Sequence, residues 1–180
     1  EASEHSGAVS FTDGRLVLFP VRSLYGMFAW VTCPRVLNRL RRDLGLVVEL
    51  SRSGSVEAWE EVPQVEQGTA LVTSASTVCK EGVVLEEYTF NAEVDEIAEK
   101  VAGWLADNAL PDGDAYGYWR SRLFTKAEGG VKSNLVILSD ADFRDFTLFA
   151  TETLTRIRTL PVTGTVARAG LGAREHLPTQ

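Results

Sequence analysis

Cysteine and histidine are scarce in this chain of 180 residues, and the shortage excludes several kinds of site. Two cysteines, Cys33 and Cys79, are too few for a disulfide framework. With only His5 and His176 as further ligands, they are also too few for a zinc site. We therefore expect reduced cytosolic thiols, and for Cys33 a buried thiol rather than a nucleophile, because no histidine is placed to activate it.

Long apolar runs and nucleotide-binding motifs are missing as well. No uninterrupted apolar stretch approaches the roughly 20 residues that a membrane-spanning helix needs, which predicts that the chain does not cross a membrane. The first six residues, EASEHS, lack the basic start and apolar core of a signal peptide, and without an initiator Met we do not expect residue 1 to begin the natural product. There is no Walker-type loop and no dinucleotide fingerprint.

The charge that is present is unevenly distributed. The net charge of -7 argues at first against a nucleic-acid partner. However, residues 14–52 hold seven arginines against Asp43 and Glu49, a balance of +5, whereas residues 81–114 hold ten acids against Lys100, a balance of -9. Residues 156–174 hold four arginines and no acid. This polarity predicts a basic face that could meet RNA, with scattered solvated faces as the alternative.

The hydrophobic pattern predicts strands that alternate with helices. Strands are predicted at 15–21, 28–31, 83–90, 134–138 and 155–158 from their short apolar or alternating runs. Helices are predicted from Pro34 to a stop at Gly45, over 93–106, and after the capping residue Ser139, with Phe143, Phe146 and Ala150 facing inward. Residues 51–68 and 108–117 are polar or turn-rich and are predicted to be loops.

Carboxylates cluster in two places, but neither cluster predicts an active site. Glu86 and Glu87 lie next to each other in a predicted strand, so we expect them to point to opposite faces of the sheet. Asp140, Asp142 and Asp145 open a predicted helix, where capping and the helix dipole explain acidic residues without a metal.

Several segments resemble a known family. The first group is residues 18–24 (LFPVRSL), Gly26, residues 28–34 (FAWVTCP), Val36 and Leu37. Three later segments follow in the order in which the family has them: residues 85–90 (LEEYTF), 138–146 (LSDADFRDF) and 155–158 (TRIR). Together they resemble the backbone RAMP subunit of type III-B CRISPR effectors, the fourth subunit of the Cmr complex. Residues 170–178 (GLGAREHLP) resemble a diverged copy of that family's thumb segment.

The resemblance implies a fold. We expect an α+β, ferredoxin-like core of the RNA-recognition-motif type with a basic, thumb-like hairpin. Residues 1–180 would form a single, partial RAMP-type domain, with a polar insertion at about 51–68 and the thumb-like segment at about 159–178.

The resemblance also implies a function in the prokaryotic cytoplasm. Copies of the subunit would stack into a filament along a CRISPR guide RNA, beside other Cmr subunits, and would engage target RNA. The family cleaves target RNA at regular intervals with a divalent metal, Mg or Mn. We expect its catalytic aspartate loop to lie upstream of residue 1, so cleavage by this chain alone is left open. In the thumb, Glu175 matches a family glutamate and His176 replaces a tyrosine, which makes these two residues catalytic candidates.

Six residues are candidates for RNA contact. Arg22 and Ser23 match the family's Pro-Val-Arg-Ser motif, where a strand leaves the core and phosphate contacts are common. The others lie in the strand before the thumb or in the thumb itself: Arg156, Arg158, Arg168 and Arg174. Arg35, Arg39, Arg41 and Arg42 are expected to form a solvated helix face. Two alternatives remain: a stand-alone endoribonuclease using Asp140, Asp142 and Glu175, and a protein-interaction or assembly module with no RNA activity.

Overall fold

A computed structural model describes residues 13–51, 59, 61–73, 82–127, 130–159 and 166–176. The strands in these ranges are β1 (Phe19–Ser23), β2 (Met27–Thr32), β3 (Thr69–Val72), β4 (Val83–Leu85), β5 (Tyr88–Val94), β6 (Thr125–Ala127), β7 (Gly130–Lys132), β8 (Leu135–Leu138), β9 (Glu152–Thr159) and β10 (Val166–His176). The helices are α1 (Pro34–Ser51), α2 (Glu96–Asn108), α3 (Asp114–Leu123) and α4 (Asp140–Phe149).

Six strands close into a barrel in the order β1-β2-β8-β3-β5-β4. The pairs β1–β2, β3–β8 and β4–β5 are antiparallel, whereas β2–β8 and β3–β5 are parallel. All four residues of β8 are buried, which is why residues 135–138 form a continuous apolar run rather than an alternating one. The buried strand predicted there is confirmed.

The barrel closes where β4 meets β1, and this closure makes the predicted ferredoxin-like sheet wrong. Ser23 lies opposite Leu85, the amide of Leu24 donates to the carbonyl of Val84 at 3.2 Å, and the amide of Glu86 donates to the carbonyl of Arg22 at 2.9 Å. Residues 83–90 are therefore a hairpin and not one strand: the chain turns at Glu86 and Glu87, and Glu86 has a φ of 50°. Because this hairpin adds β4 to the free edge of β1, the sheet closes instead of staying open.

The apolar core has two parts on the two sides of the barrel wall. Inside the barrel, alternate residues of β1 and β2 such as Phe19, Val21 and Val31 pack against Phe143 and Phe146 of α4. Outside it, α2 covers the wall with a stripe that includes Val101 and Leu105. The inward face predicted for Phe143 and Phe146 is confirmed.

The predicted helix ends agree with the structure at the start of α4 and differ at the start of α2 and the end of α1. Ser139 caps α4 as predicted, its hydroxyl oxygen accepting from the amide of Asp142. Asp95 caps α2, which begins at Glu96 rather than Glu93. The predicted stop at Gly45 is wrong, because α1 continues to Ser51 and Gly45 does not adopt the left-handed conformation that ends a helix. Helix α3 occupies part of a predicted loop.

Two hairpins lie outside the barrel sheet: β6 pairs with β7, and β9 pairs with β10. The strand predicted at 155–158 is the middle of β9. Among the residues that the structure describes, no helix is both long enough and apolar enough to span a membrane.

Two glycines provide a test of the close pairing between the start of β4 and β5. Gly82 has a φ of 141°, and a Cβ there would run into the carbonyl oxygen of Phe90 on β5, so Gly82→Ala is expected to lower the free energy of unfolding by about 1–3 kcal/mol. Gly45→Ala is the matched control: nothing lies near its added methyl, so it should raise the free energy of unfolding by about 0.5–1 kcal/mol. Urea unfolding of both variants measures the difference, and equal effects would contradict the close approach of Gly82 to Phe90.

Candidate functional site

Three of the motif segments that carry the family resemblance meet at one cavity of about 550 Å³. Arg22 of β1, Glu86 and Glu87 of the β4–β5 turn, and Asp142 and Asp145 of α4 all line it. The remaining lining residues are Gln67, Tyr88, Phe146, Phe149, Ala150 and Thr151. We call this cavity the acidic cleft, because four carboxylates stand in it against one arginine.

The turn between β4 and β5 brings two of the carboxylates together. The sequence pattern predicts Glu86 and Glu87 on opposite faces of a strand, and this prediction is wrong, because both residues sit in the turn and line the same cavity. The side chain of Glu86 accepts from the backbone amide of Arg22 at 3.4 Å. The same contact that closes the barrel therefore also positions the acidic cleft.

The carboxylates of α4 have structural partners, as the capping argument predicts. Asp142 accepts from the hydroxyl of Ser139 at 2.7 Å and from the amide of Gly68 at 3.0 Å, which ties the start of α4 to the turn before β3. Asp140 accepts from the amide of Arg35 at 2.9 Å and lies 3.5 Å from its guanidinium. These contacts account for Asp140 and Asp142 without catalysis.

The open side of the acidic cleft carries exposed aromatic rings. Phe149 is 80% exposed and Tyr88 is 58% exposed, and Tyr88 meets buried Phe146 edge to face at 6.0 Å between ring centroids. Carboxylates beside aromatic faces attract a cationic side chain and repel a phosphate. The chemistry of the cleft therefore suits a basic protein segment better than an RNA backbone.

The first two RNA-contact candidates lie at this cleft. The side chain of Arg22 lines it, while Ser23 is only 8% exposed and its hydroxyl oxygen accepts from the amide of Tyr25 at 3.4 Å. The contact to RNA remains a prediction for both residues.

The other candidates lie on the β9–β10 hairpin. In its register Arg156 pairs with Gly172 and Arg174 pairs with Leu154, which puts Arg156, Arg158 and Arg174 at alternate positions of the strand pair. Arg168 falls where the register is irregular, between Val166 and Leu171. The two catalytic candidates pair at the opposite end of the hairpin, Glu175 with Thr153 and His176 with Glu152.

The residues that the structure describes do not fit a divalent metal. Among them, no three histidine, cysteine, aspartate or glutamate side chains come together in a way that could hold a metal ion.

Comparisons with known proteins agree on one family. A protein of Pyrococcus furiosus described as "CRISPR system Cmr endoribonuclease Cmr4" is 33% identical over 179 residues, 99% of this chain and 54% of that protein. The crystal structure of oligomeric Cmr4 from the same organism matches 90% of this chain and 49% of its own, with a TM-score of 0.60 and 28% identity.

This chain belongs to the Cmr4-type RAMP subunits of type III-B systems. No family model matches it. The chain spans about half the length of the Cmr4 proteins that it matches. It also shares its fold, at a TM-score of 0.57 and 17% identity over 99% of its length, with a subunit in a type III-B Cmr-beta complex bound to cognate target RNA.

One surface of this Cmr4-type chain was missed by sequence reasoning. Helix α3 carries Tyr116, Tyr118 and Trp119 together with Arg120 and Arg122. Its first residues belong to the predicted loop of 108–117, and the sequence pattern predicts no element for the rest of it. The signal in the sequence is the alternation of aromatic residues and arginines in 116–122 (YGYWRSR), since rings interleaved with basic residues are typical of surfaces that bind nucleic acid.

The prediction that Cys33 is a buried thiol is confirmed. Its side chain is buried at the start of α1, and this burial, with a smaller effect of neighbouring Asp140, raises the pKa of the Cys33 thiol to about 11. The thiol is therefore protonated at neutral pH and is a poor nucleophile. Cys79 lies outside the described residues.

The raised pKa of Cys33 predicts a loss of stability in alkali. The unfolded thiol gives up its proton at about pH 9.0 but the folded one only at about 11, so the unfolding free energy should fall as the pH rises through this range. Cys33→Ala should lose less stability between these pH values than the parent chain does. Urea unfolding at several alkaline pH values gives the slope of the unfolding free energy against pH for both chains. Equal slopes for the parent chain and Cys33→Ala would contradict the buried thiol.

Proposed function

We propose that this chain is part of the RNA-binding backbone of a type III-B CRISPR effector in the prokaryotic cytoplasm. Copies of it would line up along a guide RNA beside other Cmr subunits and would hold the target RNA. The observation that carries the proposal is the 33% identity to a Cmr4 protein, which runs over 179 residues and includes every motif segment named above. The oligomeric crystal form of Cmr4 supports self-association.

The β9–β10 hairpin is the element that we propose for RNA contact. Alternate positions of a strand pair share one face, so Arg156, Arg158 and Arg174 are placed to follow one run of phosphates, with Arg168 near the other end. A two-stranded hairpin alone is marginally stable in water, and a bound partner would stabilise this one. Arg22 and Ser23 are proposed as further contacts at the end of β1.

Binding of RNA, rather than its cleavage, is the role that we propose for this chain. The Pyrococcus relative is named an endoribonuclease, and the family resemblance implies that Mg or Mn would serve that reaction. Because the described residues hold no cluster of metal ligands, no metal-dependent step is assigned to them. Glu175 and His176 stay candidates for assisting cleavage from the hairpin.

The hairpin proposal predicts a change in the salt dependence of RNA binding. Replacing Arg156, Arg158 and Arg174 with Gln should weaken binding of a labelled single-stranded RNA at low salt and should reduce the slope of log K against log salt by about 2. The control neutralises three exposed basic residues on helices, Arg42, Lys100 and Arg144, and should leave both quantities nearly unchanged. Fluorescence anisotropy at several salt concentrations measures the RNA affinity and the slope. Equal losses of affinity and slope in the two triple variants would contradict the proposal.

The acidic cleft favours a second candidate function, an assembly module that binds a basic protein segment. In that case Glu87→Gln combined with Asp145→Asn should weaken self-association or binding to a partner subunit, because both carboxylates line the cleft. The matched control is Glu93→Gln with Glu96→Gln, exposed residues away from the cleft. Sedimentation at low and high salt measures association, and unchanged association would exclude this function for the cleft.

A further inference from the structure

A cluster of aromatic rings covers the outer face of β2 where α3 packs on it. Trp119 lies 6.3 Å from Phe28 and 6.1 Å from Trp30, measured between ring centroids, and Tyr118 meets Trp119 edge to face at 5.4 Å. The guanidinium carbon of Arg122 lies 5.0 Å from the centroid of Tyr118 and 5.9 Å from that of Phe28. We call these five residues the aromatic platform.

The platform is held rigidly but is only partly covered. Arg122 donates to the hydroxyl of Tyr118 at 2.9 Å, which fixes both side chains, yet Tyr118 remains 51% exposed. Met27, at the start of β2, is 71% exposed, and Tyr116 on α3 is 39% exposed. Rings whose orientation is fixed before binding lose little conformational entropy when a flat partner stacks on them.

Basic residues follow the platform along the chain. Residues 120–132 contain Arg120, Arg122, Lys126 and Lys132 against Glu128, a balance of +3 in a chain with a net charge of -7. Lys126 and Lys132 are exposed, and the β6–β7 hairpin that carries them begins directly after α3. The amide of Asn134 donates to the carbonyl of Arg122 at 2.8 Å, so the residue that follows the β6–β7 hairpin contacts the platform again.

Arg120 has a different role. Its guanidinium donates to the carbonyls of Ala106 and Pro111, at 3.1 and 3.0 Å, and lies 3.2 Å from Asp112. These contacts stabilise the connection between α2 and α3 and fix the position of α3. The charges left to meet a ligand are that of Arg122, beside the rings, and those of Lys126 and Lys132, which lie on opposite faces of the β6–β7 hairpin.

The barrel register connects the platform with a residue already proposed for RNA contact. Arg22 of β1 is the cross-strand partner of Phe28, and directly opposite residues of antiparallel strands point to the same face with their Cβ atoms about 4.5–5.5 Å apart. Arg22 thus stands between two surfaces, the acidic cleft on one side and the aromatic platform on the other.

We propose that the aromatic platform binds single-stranded RNA, with a base stacked on Tyr118, a phosphate beside Arg122 and the neighbouring phosphates along the β6–β7 hairpin. The inference rests on the proposed RNA-binding function and adds a second binding surface, apart from the β9–β10 hairpin. An exposed ring beside a guanidinium, followed by a hairpin with exposed lysines, is a combination that stacks bases without sequence preference while neutralising the backbone. A protein partner would also use tyrosine and arginine, but the local excess of positive charge favours an anionic polymer.

The test compares two tyrosines of similar exposure. Tyr118→Ala is expected to weaken binding of a labelled single-stranded RNA of about 12 nucleotides by about tenfold, because stacking of one base is lost. Tyr118→Phe keeps the ring but loses the hydrogen bond from Arg122, so its affinity should fall less than that of Tyr118→Ala. Tyr88→Ala removes a tyrosine that is 58% exposed in the acidic cleft and should leave the affinity unchanged. Thermal unfolding confirms that each variant is folded.

The salt dependence separates stacking from charge. Tyr118→Ala should lower the affinity without changing the slope of log K against log salt, whereas Lys126→Gln should reduce that slope by about 0.7. Equal affinities of Tyr118→Ala and the parent chain, with salt-dependent binding retained, would overturn the platform and leave the proposed function standing. Weaker self-association of Tyr118→Ala with unchanged RNA affinity would make the platform a protein contact. Failure of the parent chain to bind RNA at low salt would overturn both proposals.

Discussion

The backbone pairing of β1 with β4 is the contact on which the architecture of this chain depends. Two hydrogen bonds, from Leu24 to Val84 and from Glu86 to Arg22, flank the pair of Ser23 with Leu85 and close a six-stranded barrel. The same turn that allows this pairing places Glu86 and Glu87 against Arg22. Without the closure, the family motifs in β1 and in the β4–β5 hairpin would lie on separate edges of an open sheet.

Closure also separates charges that would otherwise oppose each other. Arg22 lies at a boundary between the acidic cleft, where four carboxylates and two exposed rings favour a cation, and the aromatic platform, where Arg122 favours an anion. A chain with a net charge of -7 can bind RNA only if its acids are kept away from the binding surface. In the barrel the acidic cleft and the aromatic platform are separate surfaces.

Much of the local structure could be predicted from the sequence. The buried run of β8, the cap at Ser139 and the inward phenylalanines of α4 follow from apolar periodicity and helix-end chemistry, which act over a few residues. The turn at Glu86 could not be predicted, because a left-handed conformation at glutamate has no composition signal and is imposed by the pairing with β1. Helix α1 continues through Gly45 because an exposed glycine lowers the stability of a helix by only about 1 kcal/mol. Helix α3 has a weak apolar stripe, and it is stabilised by its packing on β2 and by the hydrogen bonds of Arg120.

The central claim, that this chain is part of an RNA-binding backbone, is tested most directly by counting the copies that assemble on guide RNAs of increasing length. Native mass spectrometry of the chain with such a series of RNAs gives the number of bound copies at each length. The account predicts that this number rises in regular steps as the RNA grows, because each copy covers a fixed interval. A number that stays at one, or assemblies of the same size with and without RNA, would contradict it.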